Sequence, residues 1–191
     1  MAKSRRQRGK GGAGPAGGKA AGGARPSPDP LGRDLPDLQK ARACWQNGRF
    51  DEALRLFAKT TRKHPKNVLA LVDASRAFGA RFEIPEAERM LEQLLRLGGR
   101  RSDILQLAGQ SYRMIFRPDP AIRCFEQAVA QKPDEPDTEL ELAVLYERRH
   151  DLDEARGHVE RCLRLAPGYA EAKLVRARIL RRQGEVADAG Q

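Results

Sequence analysis

Aromatic side chains are scarce: one Trp, three Tyr and six Phe make up 5% of the 191 residues. A thick core built on large rings is therefore disfavoured, and small side chains must do much of the packing, as they can in thin helix–helix interfaces. β-Branched residues are few beside Leu, Ala, Arg, Glu and Gln, all good helix formers, so the composition points to an all-α chain. Cysteine occurs only at Cys44, Cys124 and Cys162, an odd number with no CxxC spacing. Three free, mostly buried thiols and a reducing, cytoplasmic setting are the expectation. No apolar run approaches the roughly 18 residues that a membrane-spanning helix requires. The basic start lacks the apolar stretch of a secretory signal.

Signs of chemistry are equally sparse. No HExxH, no Ser-centred elbow and no dinucleotide-binding glycine pattern occurs. His158 and Cys162 stand one helical turn apart, but no third or fourth ligand joins them, and Cys162 falls in a column of core residues. Acidic pairs such as Asp153-Glu154 lie at helix starts, where the helix dipole favours acids. Gly18-Lys19 follows a glycine-rich run, yet Ala13 replaces the leading glycine of a phosphate loop and Ala20 its Ser or Thr. No catalytic residue, no cofactor and no metal site is expected.

The formal charge of +10 is unevenly placed. Lys3, Arg5, Arg6, Arg8, Lys10, Lys19 and Arg25 precede any acid, and the remainder holds 29 basic against 26 acidic side chains, so the body is nearly neutral. Residues 1–33 are rich in Gly, Pro and Ala and bury too little apolar surface to offset ordering, so they are expected to be a disordered basic tail. A solvated tail is the plain reading; an arm for nucleic acid or anionic lipid through Arg5, Arg6, Arg8 and Lys10 is the sharper one.

From about residue 34 the chain repeats itself every 34 residues. Ala53, Ala87, Ala121, Ala155 and Ala189 keep that interval, as do Pro65, Pro133 and Pro167, with Gly99 in the missing slot. A second small column runs Ala41, Ser75, Gly109, Ala143, Ala177. Large apolar columns run Phe57, Leu91, Phe125, Val159 and Cys44, Phe78, Tyr112, Tyr146, Leu180. Apolar spacings of three and four residues make each period two helices joined by a short turn. Asp51, Asp119 and Asp153 are N-cap candidates, Pro120 suits a first helical position, and the proline column ends the second helices at His64, Lys132 and Ala166. The Ala41 and Ala53 columns are expected to face each other where the helices approach. One such pair cannot bury its apolar face alone, so neighbours stack into a continuous core.

These landmarks resemble the tetratricopeptide repeat, whose 34-residue period and Ala, Phe and Pro positions they match over residues 34–191. The family's Trp near the start of the first helix is absent, with Asp37, Leu71, Leu105, Glu139 and Lys173 in its place. Gly48 and Gly184 keep the turn glycine, whereas Phe82, Phe116 and His150 replace it. The resemblance implies a right-handed solenoid of antiparallel helix pairs, about four and a half repeats: 34–67, 68–101, 102–135, 136–169 and an incomplete 170–191. Gly184, Val186 and Ala189 repeat Gly48, Phe50 and Ala53, which announces a turn and a fifth second helix and suggests a piece of a longer protein. The rival expectation is that helix 171–183, with Arg176, Arg178, Arg181 and Arg182, is a polar cap.

The resemblance also implies a concave groove lined by the first helices. By phase it takes Leu38, Arg42, Trp45, Val72, Arg76, Gln106, Gln110, Arg113, Leu140, Val144, Glu147, Arg148, Leu174, Arg178 and Arg181. That mixture suits a protein segment, peptide or helix, with acidic and hydrophobic residues, and Trp45 is its aromatic anchor. The plainer reading is that the arginines pair internally with Asp73, Asp103, Asp137 and Glu171, and that Trp45 packs on a neighbouring helix. The Lys and Asn set by which some family members grip a chaperone's terminal carboxylate is not present. The expected function is a non-catalytic interaction scaffold. The arrangement is also similar to the repeat region of bacterial proteins that carry a downstream sulfotransferase domain, which would make the chain the non-catalytic arm of an enzyme.

The periodic small residues yield a direct test. Ala121→Leu is expected to overpack the hairpin contact and to cost about 1–3 kcal/mol, read as a lowered midpoint in denaturant unfolding followed by circular dichroism.

Overall fold

The computed structural model describes residues 34–189. The basic positions Arg5, Arg6, Arg8 and Lys10, and the Gly/Pro-rich segment expected to be disordered, lie outside the described residues. Within them the chain forms α1 (Pro36–Gln46), α2 (Phe50–Lys63), α3 (Val68–Ala80), α4 (Ile84–Gly98), α5 (Ser102–Met114), α6 (Pro118–Gln131), α7 (Pro136–Arg148), α8 (Leu152–Leu165) and α9 (Ala170–Ala189), with no strand among the described residues. Each odd helix pairs with the even helix after it, and each even helix packs on the next odd one. Odd helices also touch one another, α3 with α5 and α7 with α9. The array therefore curves toward its odd-helix face.

Small side chains set the approach distance within hairpins. Ala41, Ser75 and Ala143 in first helices, and Ala53, Ala87, Ala121 and Ala155 in second helices, are all fully buried. At Gly109 the partner is an aromatic ring rather than the alanine column: an added Cβ would lie 2.9 Å from the Phe125 ring of α6. Gly79 is tighter still, since a Cβ there would lie 2.0 Å from Ile115 Cγ2 beyond α5. A mid-helix glycine costs roughly 1 kcal/mol relative to alanine, and both sites need one because a neighbouring side chain occupies the Cβ space. The three cysteines are free and buried.

All four inner turns use one device. Gly48, Phe82, Phe116 and His150 adopt φ of 74°, 63°, 59° and 67°. The next residue then donates its N–H to the carbonyl five residues back: Arg49 to Cys44 at 2.9 Å, Glu83 to Phe78 at 2.9 Å, Arg117 to Tyr112 at 2.9 Å and Asp151 to Tyr146 at 3.0 Å. This left-handed closure satisfies carbonyls that a helix end leaves open. It also corrects the expected N-caps. Reversal completes early, so the second helices start at Phe50, Pro118 and Leu152 with Arg49, Arg117 and Asp151 as caps. Asp51, Asp119 and Asp153 sit in the first turn, favoured by the dipole rather than capping. Pro120 is accordingly the third helical residue. His64, Lys132 and Ala166 do end their helices ahead of the proline column.

The turn expected at Gly184 does not form. α9 runs unbroken for 20 residues from Ala170 to Ala189. Continuing the helix pairs backbone groups that a reversal would have to satisfy otherwise, and a single glycine lowers helix stability by only about 1 kcal/mol.

Phe82 and Phe116 are 80% and 79% exposed, so their rings offset little of the strain of a left-handed residue. Phe116→Gly is expected to raise stability by about 1 kcal/mol, seen as a higher unfolding midpoint, with Phe82→Gly behaving alike.

Candidate functional site

The odd-helix face holds two cavities. One, of about 260 Å³, lies among α1, α2, α3 and α5 and is lined by Arg42, Trp45, Phe57, Asp73, Arg76, Ala77, Ala80 and Met114, among others. The other, of about 680 Å³, lies chiefly among α5, α7 and α9 and is lined by Gln106, Gln110, Arg113, Leu140, Val144, Arg148, Leu174 and Arg178 together with Asp137, Glu141, Tyr169 and Glu171. Most of the residues grouped by phase line one or the other of these cavities. Leu38 is fully buried and Val72 is 4% exposed, so both serve the core instead of the surface. Glu147 is 3% exposed, and Arg181 lines neither cavity. Met114, 53% exposed, also lines the smaller cavity, at the register position that Arg148 occupies one period later.

Charge on this face is largely used internally. Arg42 Nε donates to Asp73 Oδ2 at 2.6 Å and its Nη1 to Asp34 Oδ1 at 3.0 Å. Arg113 Nε lies 3.0 Å from Glu141 Oε2 without forming a hydrogen bond. Burial pushes the Glu141 carboxyl upward despite Arg113. Of the acids expected to pair, Asp73 takes Arg42, Asp103 takes Arg101 and Asp137 accepts from Tyr169 Oη at 2.7 Å. Trp45 meets Phe50 edge-on, with ring centroids 4.9 Å apart.

Arg76 stands apart. Its Nε donates to Ser111 Oγ at 3.2 Å, and among the described residues no carboxylate contacts it. Burial lowers its pKa, and the more distant Asp73 only partly opposes that. A half-buried guanidinium with open donors beside Trp45, Ala77, Ala80 and Met114 is a ready acceptor of an anion carried on an apolar segment.

Two buried carboxylates hold the far end of the array. Glu139 is 2% exposed; His158 Nδ1 lies within hydrogen-bond distance of it at 2.7 Å, and Arg161 Nε donates to it at 3.0 Å. Burial alone would raise its pKa, but these hydrogen bonds outweigh it and hold the carboxyl below its usual range. Glu147 accepts from Arg178 at 2.6 and 2.5 Å and from Arg182 at 3.2 Å. The Arg178 hydrogen bonds lower its pKa, against burial. No group of three or more possible metal ligands occurs among the described residues. Among them no helix is long and apolar enough to cross a membrane.

A carboxylate with a depressed native pKa stabilises the fold above its unfolded pKa, and that contribution disappears as pH falls through the folded value. Glu147 is therefore expected to hold α9 firmly at neutral pH and to release it below the ordinary glutamate range of about 4.3. Glu141, shifted upward, acts in the opposite sense, so the test is a difference. Stability of the parent minus that of Glu147→Gln is expected to be about 1–3 kcal/mol at neutral pH and to shrink in acid, measured by unfolding at stepped pH.

The sequence profile described as the tetratricopeptide repeat matches residues 38–81, 116–170 and 140–191. No curated protein matches in sequence. Among solved structures, the fold is similar to that of MamA (21% identity, 78% of this chain and 81% of that one, TM-score 0.61). It is also similar to YrrB, a TPR protein with an unusual peptide-binding site (18% identity, 80% and 78%, TM-score 0.56). A third is TTC0263, a thermophilic TPR protein of Thermus thermophilus (24% identity, 73% and 77%, TM-score 0.55). With the profile covering more than half of the chain and nine helices in hairpin order among the described residues, the chain belongs to the tetratricopeptide repeat family.

Proposed function

We propose that the chain is a non-catalytic scaffold that holds a partner protein, and that its odd-helix face takes a segment combining hydrophobic and acidic side chains. The observation that carries this reading is Arg76. Most cations on the face are neutralised by the protein itself, whereas Arg76 lies half-buried in the 260 Å³ cavity with no carboxylate contact among the described residues. A guanidinium already stripped of part of its water binds a carboxylate with less further desolvation. Trp45, Ala77, Ala80 and Met114 supply apolar surface beside it, and a large ring at a cavity wall is the kind of residue that dominates interface energies. Arg148 adds an exposed cation at the larger cavity.

The test is an array of peptides about twelve residues long, enough to present a helix face or a strand, alternating Leu or Phe with Glu or Asp. The same peptides with Lys in place of the acids stand beside them. The acidic set is expected to bind and the lysine set not. Arg76→Gln is expected to weaken the acidic set about tenfold or more, the effect of a lost charged hydrogen bond. Equal retention of both sets, or indifference to Arg76→Gln, would remove the basis for this groove.

A further inference from the structure

Positive charge collects on the first even helix. Arg55, Lys59 and Arg62 recur at intervals of four and three residues and so share one side of α2. Lys63 and Lys66 follow at its end, and Arg89 stands on α4 one period after Arg55; all six are exposed. Three recesses, of about 670, 480 and 370 Å³, join through Ala58, Arg62, Lys63 and Pro65 into a single surface. The six cations line it, and no Asp or Glu does. Both odd-helix cavities, by contrast, include carboxylates, and they share no residue with this surface.

The flanking acids are engaged elsewhere: Glu52 with Arg49, Glu88 with Arg117 and Glu92 with Arg96. Lys63 reaches Asp37 at 3.9 Å, and among the described residues the other five cations make no ion pair. That same contact sets the start of α1 beside the surface. The seven cations that precede any acid in the sequence are therefore joined to the chain next to this patch.

What the surface lacks narrows its partner. The centre of a protein–protein contact is rich in apolar and aromatic side chains and poor in Lys, whereas Lys lines these recesses at three positions and no Phe, Tyr or Trp does. An interfacial helix enters a bilayer through large apolar side chains, and none of the exposed ones lies here. A single strand of nucleic acid is held by rings that stack on its bases. A duplex keeps its bases inside and offers one phosphate charge per about 1.7 Å of axis. Arg55 to Arg62 covers about 10 Å of α2, so several phosphates fall within reach.

We infer that the cationic surface of α2 and α4 binds the phosphate backbone of double-stranded nucleic acid without reading its sequence.

The probe is a fluorescent DNA duplex of about 20 base pairs and arbitrary sequence, titrated with the full chain at salt stepped from about 50 to 200 mM and read by anisotropy. The triple variant Arg55→Gln, Lys59→Gln, Arg62→Gln is expected to bind about tenfold or more weakly and to flatten the slope of log affinity against log salt by about 3, one for each phosphate contact removed. The triple variant Arg164→Gln, Lys173→Gln, Arg176→Gln removes equal charge from exposed positions of α8 and α9 and is expected to bind as the parent does. Circular dichroism verifies that both variants keep the fold. Absence of duplex binding at the lowest salt, equal weakening by the two variants, or tighter binding of a single strand of the same length overturns the inference. So does adsorption to phosphatidylserine vesicles that the α2 variant loses while its duplex affinity stays at the parent's, because that would give the surface to a membrane.

Discussion

Close approach of antiparallel helices is the constraint on which everything else rests. Two helices with side chains of ordinary size pack at about 8–10 Å between axes, and this chain keeps its hairpins tight by placing Ala, Ser or Gly wherever one helix leans on another. Gly109 beneath the Phe125 ring and Gly79 against Ile115 are its extreme cases. With so few aromatics available, the core is a strip along the array instead of a central mass. Phe57, Leu91, Phe125 and Val159 fill successive units of that strip. The left-handed closure at Gly48, Phe82, Phe116 and His150 serves the same end, since it reverses the chain in the fewest residues.

The binding of successive units changes character along the chain. Through α6 the interior is almost wholly apolar, relieved by small hydroxyls such as Ser75 and Ser111 that bond to their own helix backbone at 2.7 and 2.8 Å. From α7 on, carboxylates are drawn inside: Glu139 ties α7 to α8, and Glu147 ties α7 to α9. A buried carboxylate is costly unless it is fully hydrogen-bonded, and each of these receives at least two cationic or imidazole donors. The last helix is therefore held by charge geometry as well as by Ala172, Val175 and Ile179. That same region holds the larger cavity.

Much of this was legible beforehand because a 34-residue period leaves many independent traces. Five columns in one register implied helical hairpins, and the proline column located the ends of α2, α6 and α8. What escaped was whatever the period does not encode. Columns assign a direction around a helix, not a depth, so Leu38 and Val72 were grouped with the surface although neighbouring helices cover them. Phe82, Phe116 and His150 stand where the family has glycine, yet hydrogen bonds to the carbonyls of Phe78, Tyr112 and Tyr146 close the same left-handed turn.

The sequence by itself determined the architecture, because spacing of small, large and proline residues dictates where helices can start, touch and stop. Only the tertiary structure decided how charge is used. Arg42, Arg113 and Arg178 look equivalent to Arg76 along the chain, but their carboxylate partners Asp73, Glu141 and Glu147 stand 31, 28 and 31 residues away, and only stacking brings them into contact. Electrostatic pairing falls off over a few ångströms and depends on burial, neither of which a linear order of residues contains. The same holds for α9, where Lys173, Arg176, Ala177 and Leu180 are exposed although the matching residues of α3 and α5 are buried.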